Sequence, residues 1–276
     1  MSKRSGPLAP GVAFITGGAR GLGNAVACSF AKEGARAVVI ADIQDEKTFA
    51  QGKKNVEEIG CECLTIHCDV TKEDQVEAAV KQAVDKFGRI DYAANFAGII
   101  GPSSSITETN TEEWLKCQAV NSTGVFLATK HELRQMMKQS SIDVEDGRVE
   151  QRGSIVNCAS VNSLMAIPTA SAYTTSKHAC HGITKTAALE ARSHGIRVNA
   201  VSPGFLLTPM IENGVVGGDM DLGMKLWEGF EKRQGRKAKF EEVGDVVVLL
   251  SLPRCSLVNG QNLFIDGGFT INEGFE

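Results

Sequence analysis

The stretch VAFITGGARGLG, residues 12–23, decides the fold class that the sequence predicts. Its first residues are apolar and predict a buried strand, and Gly17, Gly21 and Gly23 follow where that strand ends. The residues from Leu22 to Gly34 then predict a helix that closes at the glycine. Glycines at this spacing let the backbone approach a pyrophosphate, and the helix N-terminus supplies amides and a positive dipole end. A merely tight turn is the alternative, and the strand before and helix after argue against it.

The same strand–helix unit recurs along the whole chain. Near-continuously apolar strands that alternate with helices predict a parallel sheet covered on both faces. We therefore expect an α/β fold with a doubly wound, seven-stranded parallel sheet, whose ligands bind at the carboxyl ends of the strands. The predicted strands are residues 12–17, 35–42, 63–70, 91–98, 153–160, 196–204 and 261–268, and the predicted helices are 22–34, 71–88, 111–139, the Tyr173 segment to about 194, and 240–252.

The sequence predicts a single domain, residues 11–276, and three segments of the chain depart from the alternation of strands and helices. Residues 1–10 carry early cations without a following apolar run and predict a disordered arm rather than a signal peptide. The polar residues 140–152 predict a surface insert, and residues 208–238, rich in glycine and methionine, predict a lid over the site. Apolar runs such as AVVIA are too short to span a bilayer, so we expect no membrane association.

Composition excludes several classes of partner. The net charge is −4 and no block is basic, so the sequence has no electrostatic footprint for nucleic acid. None of the eight cysteines forms a C-x-x-C pair, and most lie in apolar segments, which predicts reduced thiols in a reducing, cytoplasmic compartment. Cys61, Cys63, His67 and Cys68 form a loose cluster that matches no zinc spacing, so we expect no metal site.

The end of the second predicted strand bears on the choice of nucleotide. Asp42 lies about twenty residues after the glycine loop, where a carboxylate accepts hydrogen bonds from ribose hydroxyls and repels a 2′-phosphate, which favours NAD. Arg20 argues for NADP, because a guanidinium can pair with that phosphate. We favour NAD. Asp69 and Val70, which end the third strand, are placed to contact adenine, and Asp69 can also cap the next helix with Thr71.

A scarce phenol lies one helical turn from an amine in SAYTTSKHAC, residues 171–180. Tyr173 and Lys177 share a helix face at i and i+4. The chain has only one other tyrosine, Tyr92. Taken alone, the pair could equally be an aromatic core contact and a solvated lysine.

The order and spacing of seven motifs resemble the short-chain dehydrogenase/reductase family, a Rossmann-type fold, over residues 11–269. The motifs are T-G-x-x-x-G-x-G, D-V, N-x-A-G, an asparagine in the long helix, a serine, Y-x-x-x-K and P-G-x-x-x-T. They correspond to Thr16–Gly23, Asp69–Val70, Asn95–Gly98, Asn121, Ser160, Tyr173 with Lys177, and Pro203–Thr208.

The resemblance implies a catalytic set of Asn121, Ser160, Tyr173 and Lys177. Tyr173 would be the general acid/base, with its pKa of about 10 lowered by Lys177 and the nicotinamide. Ser160 would bind the substrate oxygen, Lys177 the nicotinamide ribose, and Asn121 a water that relays protons. The resemblance also implies cofactor contacts from Gly17, Arg20, Gly21, Leu22, Gly23, Asp42, Ile43, Asp69, Val70, Asn95, Ala97, Gly98, Tyr173, Lys177, Pro203, Gly204, Leu206 and Thr208.

One position departs from the family pattern, and the substrate is less defined than the cofactor. The family commonly has N-N-A-G, whereas Phe96 stands at the second asparagine here. Apolar residues after Ser160 and in the predicted lid suggest a small, neutral, hydrophobic alcohol or ketone such as a steroid or terpenoid. The predicted pocket residues are Ser160, Asn162, Leu164, Met165, Tyr173, Met210 and Trp227.

Other functions remain open at this point. A binding module without turnover would be expected to lack Tyr173 or Lys177, and neither is missing. An NADPH-dependent biosynthetic ketone reductase, or a dehydration, epimerisation or cyclisation on the same fold, is not excluded. Family members are usually homo-tetramers or dimers, which the sequence permits.

Overall fold

The computed structural model describes residues 8–208 and 220–272 and confirms the predicted α/β fold. Seven parallel strands form one sheet in the order β3-β2-β1-β4-β5-β6-β7. From β1 the chain adds β2 and β3 on one side, and it then crosses back to add β4 to β7 on the other side. The carboxyl ends of β1 and β4 therefore flank a crevice. The strands are β1 Val12–Thr16, β2 Ala37–Asp42, β3 Glu62–His67, β4 Tyr92–Asn95, β5 Gly153–Cys158, β6 Ile196–Pro203 and β7 Asn262–Ile265.

Helices cover both faces of the sheet. One core cluster contains Ile15 and Ile40 with side chains of α1 and α8, and the other contains Phe14 and Val39 with side chains of α3, α5 and α6. Successive strand residues point to opposite faces, so strands buried on both sides are apolar throughout. The helices are α1 Gly21–Lys32, α2 Glu46–Glu57, α3 Glu73–Phe87, α4 Thr111–Gln118, α5 Val125–Met136, α6 Ser171–Ala191, α7 Met220–Arg233 and α8 Phe240–Ser251.

Two helix predictions need correction. The sequence analysis left out α2, whose N-cap Asp45 accepts a hydrogen bond from the Thr48 N–H. Thr71 is not the N-cap of α3, because that position belongs to Lys72. Asp69 instead accepts hydrogen bonds from the N–H and hydroxyl of Thr71, at 2.9 and 2.7 Å, and so shapes the turn before the helix.

The long helix predicted at 111–139 is interrupted. A π-helical segment, Ala119–Gly124, separates α4 from α5 and contains Asn121. A π segment widens a helix locally and often marks a functional position. Asparagine is a poor helix former in a helix interior, which is consistent with an interruption at this position.

The three unusual segments are partly described. Ala9 is fully buried and its N–H donates to the Glu33 carbonyl, so the fold includes residues that the sequence assigned to a disordered arm. Residues 1–7 lie outside the described residues. The insert contains an antiparallel bridge between Ile142 and Gln151, and Glu145 accepts two hydrogen bonds from Arg254. Residues 209–219 of the predicted lid also lie outside the described residues, and α7 occupies much of the remainder.

Within the two described ranges, no helix combines the length and apolarity needed to cross a membrane.

Candidate active site

A cleft of about 940 Å³, measured out to open solvent, lies at the carboxyl ends of the strands. It is where the crossover between β1 and β4 predicts a ligand. Many of the predicted cofactor and catalytic residues line it together. The lining residues are Gly17, Arg20, Gly21, Leu22, Gly23, Asp42, Gln44, Phe96, Gly98, Ile99, Cys158, Ala159, Ser160, Tyr173, Lys177, Pro203, Gly204, Leu206 and Thr208.

The glycine loop after β1 has room for nothing larger than hydrogen at two positions. Gly17 has φ +68°, and a Cβ there would lie 2.6 Å from the Ala97 nitrogen. A Cβ on Gly23 would overlap the carbonyl oxygen of Gly17. The glycines are therefore required for the loop to fold back onto itself and onto the end of β4.

The N-terminus of α1 faces the cleft without a side-chain cap. Arg20 is the N-cap residue, and its side chain accepts no hydrogen bond from the first turn. Asn24, in that turn, instead braces the loop by donating from Nδ2 to the Gly18 carbonyl at 2.9 Å and the Gly52 carbonyl at 3.0 Å. Uncapped amides at a helix N-terminus bind anions, so this end of the cleft suits a pyrophosphate.

Asp42 lies at the edge of the same cleft and is fixed by backbone amides. It is 8% exposed, and its two carboxylate oxygens accept hydrogen bonds from the N–H groups of Ala19, at 3.0 Å, and Ile43, at 2.7 Å. Each oxygen keeps a lone pair for a ribose hydroxyl. Arg20 is exposed and lines the cleft beside it.

Asn121 holds the loop that follows β4. Its Oδ1 accepts from the Ile99 N–H at 2.8 Å, and its Nδ2 donates to the Ile99 carbonyl at 2.7 Å and to Ser176 Oγ at 3.1 Å. The side chain is fully buried. Both ends of its side-chain amide are thus bonded to protein atoms, and the water relay at Asn121 stays a prediction. Through these bonds the Asn121 side chain connects the loop at Ile99 to Ser176 on α6.

Tyr173, Lys177 and Ser160 meet at the floor of the cleft. Lys177 Nζ lies 5.4 Å from the Tyr173 ring centroid and donates to the Cys158 carbonyl at 2.8 Å. Ser160 Oγ accepts from the Asn162 N–H at 3.2 Å, which leaves its own proton free to donate. The Ser160 and Tyr173 side chains both line the cleft there.

The electrostatics of this trio oppose one another. Burial raises the pKa of Tyr173, and the adjacent Lys177 ammonium and the Ser160 hydroxyl lower it by less, so the net direction is upward. Burial lowers the pKa of Lys177, but Tyr173 and the thiols of Cys158, Cys180 and Cys117 together raise it. In the cofactor-free protein the effect of burial thus outweighs that of Lys177, and the lowering of the Tyr173 pKa by Lys177 together with the nicotinamide stays a prediction. Without a further positive charge, Tyr173 stays a neutral phenol.

The same cleft is lined by a residue whose buried hydroxyl has no partner among the described residues. Thr208 follows the Pro203–Gly204 turn, and its Oγ1 has no hydrogen-bond partner within the described part of the chain. A buried hydroxyl left unpaired costs free energy, so such a group in a cleft suits a ligand amide. Together with the glycine loop and Asp42, it shows that the residues present fit a nicotinamide dinucleotide.

Beneath the cleft lies a buried polar network that joins β4 to β5. Asn95 Nδ2 donates to Glu132 Oε2 and to Asn157 Oδ1, both at 2.9 Å. Asn157 Nδ2 donates to Thr184 Oγ1 at 3.0 Å. Glu132 is fully buried, and burial raises the pKa of its carboxyl to about 8 despite the Asn95 hydrogen bond. Asn95 therefore supports the floor and does not line the cleft.

Several predicted residues lie elsewhere. Asn162 is buried and donates to Thr174 Oγ1, Leu164 is 60% exposed, and Met165 packs against the aromatic cluster that contains Trp227. Trp227 is 3% exposed and is packed against Phe205 rather than lining the cleft. Met210 lies outside the described residues. Of the predicted cofactor residues, Ile43, Asp69, Val70, Asn95 and Ala97 do not line the cleft.

Five lining residues were absent from the sequence prediction. They adjoin predicted ones at strand ends, which is the signal that could have found them: every residue within about two positions of a strand's carboxyl end is a candidate. These residues are Gln44, Phe96, Ile99, Cys158 and Ala159.

The cysteines are free thiols, and among the described residues no three His, Cys, Asp or Glu side chains are grouped to hold a metal ion. Burial raises the pKa of Cys63 and Cys68 to about 12, which keeps both protonated.

Comparison with known proteins gives matches over nearly the whole chain. A family model described as enoyl-(acyl carrier protein) reductase matches residues 17–270. Borneol dehydrogenase, mitochondrial, from Lavandula x intermedia is 39% identical over 265 residues, covering 95% of this chain and 92% of its own length. Secoisolariciresinol dehydrogenase from Forsythia intermedia is 38% identical over 269 residues, covering 94% and 89%.

Among solved structures, levodione reductase superposes with a TM-score of 0.87 at 35% identity, over 96% of this chain and 99% of its own. A TM-score of this size over nearly the whole of both chains means that the two structures share one fold. The chain therefore belongs to the short-chain dehydrogenase/reductase family, whose members use a nicotinamide cofactor.

Proposed function

We propose that this protein transfers a hydride between NAD(H) and a hydrophobic secondary alcohol or ketone. The observation that carries the proposal is the meeting of Tyr173, Lys177 and Ser160 in the cleft that the glycine loop also lines. A proton-transfer group and a dinucleotide-binding loop in one cleft are what an alcohol dehydrogenase or ketone reductase needs.

The residues of this chain move the proton. A bound oxidised nicotinamide supplies the hydride acceptor and a positive charge. In alcohol oxidation Tyr173 first loses its phenolic proton to solvent, and the phenolate then accepts the hydroxyl proton. In ketone reduction the neutral phenol gives its proton to the carbonyl oxygen and is reprotonated from solvent. Ser160 donates a hydrogen bond to the same substrate oxygen. The Lys177 ammonium, 5.4 Å from the Tyr173 ring, stabilises the phenolate.

Asp42 favours NAD over NADP. Its carboxylate is held in place by the Ala19 and Ile43 amides, so a 2′-phosphate at the adjacent ribose would be repelled by a charge that cannot move away. Calorimetric titration of wild type and Asp42→Ala with NAD and NADP tests this. We expect NAD to bind wild type at least about tenfold more tightly, and the substitution to remove that preference.

NADPH-dependent ketone reduction is the second candidate, because Arg20 is exposed at the same end of the cleft. If NADP binds wild type more tightly, and Arg20→Ala rather than Asp42→Ala removes the preference, this second function replaces the first. If neither nucleotide binds, the oxidoreductase proposal fails altogether.

The substrate proposal rests on apolar groups in the cleft and on the named relatives. Phe96, Ile99 and Leu206 line it, and no described lining residue other than Arg20 and Lys177 is cationic. One relative is named for borneol, a bicyclic monoterpene alcohol with a single hydroxyl. A panel of hydrophobic secondary alcohols, starting with borneol and steroid alcohols, is the first screen with NAD.

We also propose a cytoplasmic homo-tetramer or dimer. Eight free thiols fit a reducing compartment, although one relative is named as mitochondrial. Leu115, Phe126 and Leu189 expose apolar surface on α4, α5 and α6, the helices expected to pair. Light scattering with size exclusion measures the mass, and a monomer would contradict the proposal.

A further inference from the structure

A buried glutamine just after α7 holds the loop that follows β6. Gln234 is 4% exposed, and its side chain bonds to both backbone groups of Phe205. Oε1 accepts from the Phe205 N–H at 2.7 Å, and Nε2 donates to the Phe205 carbonyl at 3.3 Å and to the Arg236 carbonyl at 3.2 Å. The Gln234 side chain therefore makes the two hydrogen bonds to Phe205 that a neighbouring strand would otherwise make. Phe205 lies immediately before Leu206 and close to Thr208 in the chain.

Two glycines make room for this glutamine. A Cβ on Gly204 would overlap Gln234 Oε1, and a Cβ on Gly267 would overlap the Gln234 carbonyl oxygen. Gly204 leaves β6 and Gly267 follows β7, and the Gly204 N–H donates to the Ile265 carbonyl at 3.0 Å. Gln234 is therefore seated in a slot formed by the carboxyl ends of both strands.

The side chain of Phe205 is held from the other side by aromatic rings. It stacks on Phe230 with centroids 4.2 Å apart and packs against Phe269 at 4.7 Å and Trp227 at 5.7 Å. Phe230 and Trp227 belong to α7, so that helix and the glutamine after it fix one loop residue by both its backbone and its side chain.

We propose that Gln234 is a positioning residue for the part of the cofactor site formed by Leu206 and Thr208. This inference rests on the proposed function and assigns Gln234 to the nicotinamide half of the bound dinucleotide. Gln234 does not line the cleft, and the glycine loop and Asp42 lie on β1, α1 and β2, away from the slot. Loss of the clamp leaves a buried N–H and carbonyl unpaired, which displaces the loop without changing the adenosine half.

The chain contains a matched control. Gln139 is 9% exposed and clamps Ile90 in the same way: Oε1 accepts from the Ile90 N–H at 2.8 Å, and Nε2 donates to the Ile90 carbonyl at 2.9 Å and the Arg152 carbonyl at 3.2 Å. Ile90 precedes β4, at the end of the sheet opposite the cleft. Gln139→Leu therefore removes the equivalent three hydrogen bonds, and a fourth that Gln135 Nε2 donates at 3.2 Å, at a distance from the nucleotide.

The test is calorimetric titration of wild type, Gln234→Leu and Gln139→Leu with NADH and with ADP-ribose, which lacks the nicotinamide. We expect Gln234→Leu to weaken NADH binding by about tenfold or more while ADP-ribose affinity stays within about twofold, and Gln139→Leu to leave the NADH to ADP-ribose ratio unchanged. If Gln234→Leu does not fold, Gln234→Met, which keeps the side-chain length and removes only the hydrogen bonds, must show the same split.

An equal loss for both ligands, no loss for either, or the same split in Gln139→Leu would overturn the positioning role. The proposed function fails in a different way, with wild type binding neither NADH nor NADPH. If wild type prefers NADPH, the same comparison is made with NADPH and 2′-phospho-ADP-ribose.

Discussion

Two parts of the cleft differ in which atoms shape them: backbone atoms in one and side chains in the other. The glycine end, residues 17–24 with Asp42, is shaped by backbone that folds onto itself, since Cβ atoms on Gly17 or Gly23 would strike main-chain atoms. The tyrosine end, formed by Ser160, Tyr173, Lys177 and the loop after β6, is shaped by side chains from separate segments. Substitutions at the glycine end should therefore act as steric events, and those at the tyrosine end as losses of particular hydrogen bonds or charges.

The contrast also decides what a sequence can predict. Glycine spacing between a strand and a helix fixes the first end locally, and Gly17, Gly21, Gly23 and Asp42 all line the cleft as predicted. The strands could also be predicted, because a strand that is buried on both faces of the sheet has an uninterrupted run of apolar residues.

The tyrosine end depends on contacts between residues far apart in the chain. Composition suggests that Trp227 is a pocket residue, but it is buried, with its ring against those of Phe205 and Phe230. Gln234 and Glu132 carry no sequence signal, because a buried polar side chain is recognised only by the partners that the fold brings to it. The π segment at Asn121 and its hydrogen bonds to Ile99 interrupt what the sequence predicted as one helix over residues 111–139.

The largest effect should follow from breaking the glycine end. In Gly23→Ala the added methyl overlaps the Gly17 carbonyl oxygen, so the loop must open and its amides lose the pyrophosphate. We expect affinity for both NADH and ADP-ribose to fall by about a hundredfold or more in calorimetry. Gly182→Ala, on α6 with no atom near its Cβ position, is the control and should bind both normally.

The floor beneath both ends should make stability depend on pH. Glu132 has a folded-state pKa of about 8, above the ordinary value of about 4.3, so the folded protein binds its proton more tightly than the unfolded chain does. Ionisation of Glu132 therefore lowers the free energy of unfolding as pH rises from about 4.3 to about 8. Above about pH 8 it causes no further change.

Glu132→Gln keeps an acceptor for Asn95 and removes the titration. Unfolding by urea across that pH range should show wild type losing stability relative to the variant by more than about 1 kcal/mol. Parallel curves for the two proteins would mean that Glu132 is already ionised, which would contradict its assignment as a neutral acid.

The smallest effect should come from one hydroxyl at the tyrosine end. Thr208→Val removes a buried group without a described partner, so the cofactor-free protein should melt at the same or a slightly higher temperature. NADH affinity should fall by about fivefold, about 1 kcal/mol, while ADP-ribose affinity is unchanged. A lower melting temperature with unchanged NADH affinity would assign Thr208 to structure and not to the ligand.

The most direct test of the account is turnover by wild type and Tyr173→Phe with NAD and the best alcohol from the screen. Removing the phenolic oxygen takes away the proton acceptor but leaves the ring beside Lys177 in place. The account predicts a kcat lower by about a hundredfold to ten-thousandfold, with NADH affinity within about twofold of wild type. A Tyr173→Phe protein that retains wild-type kcat would contradict it.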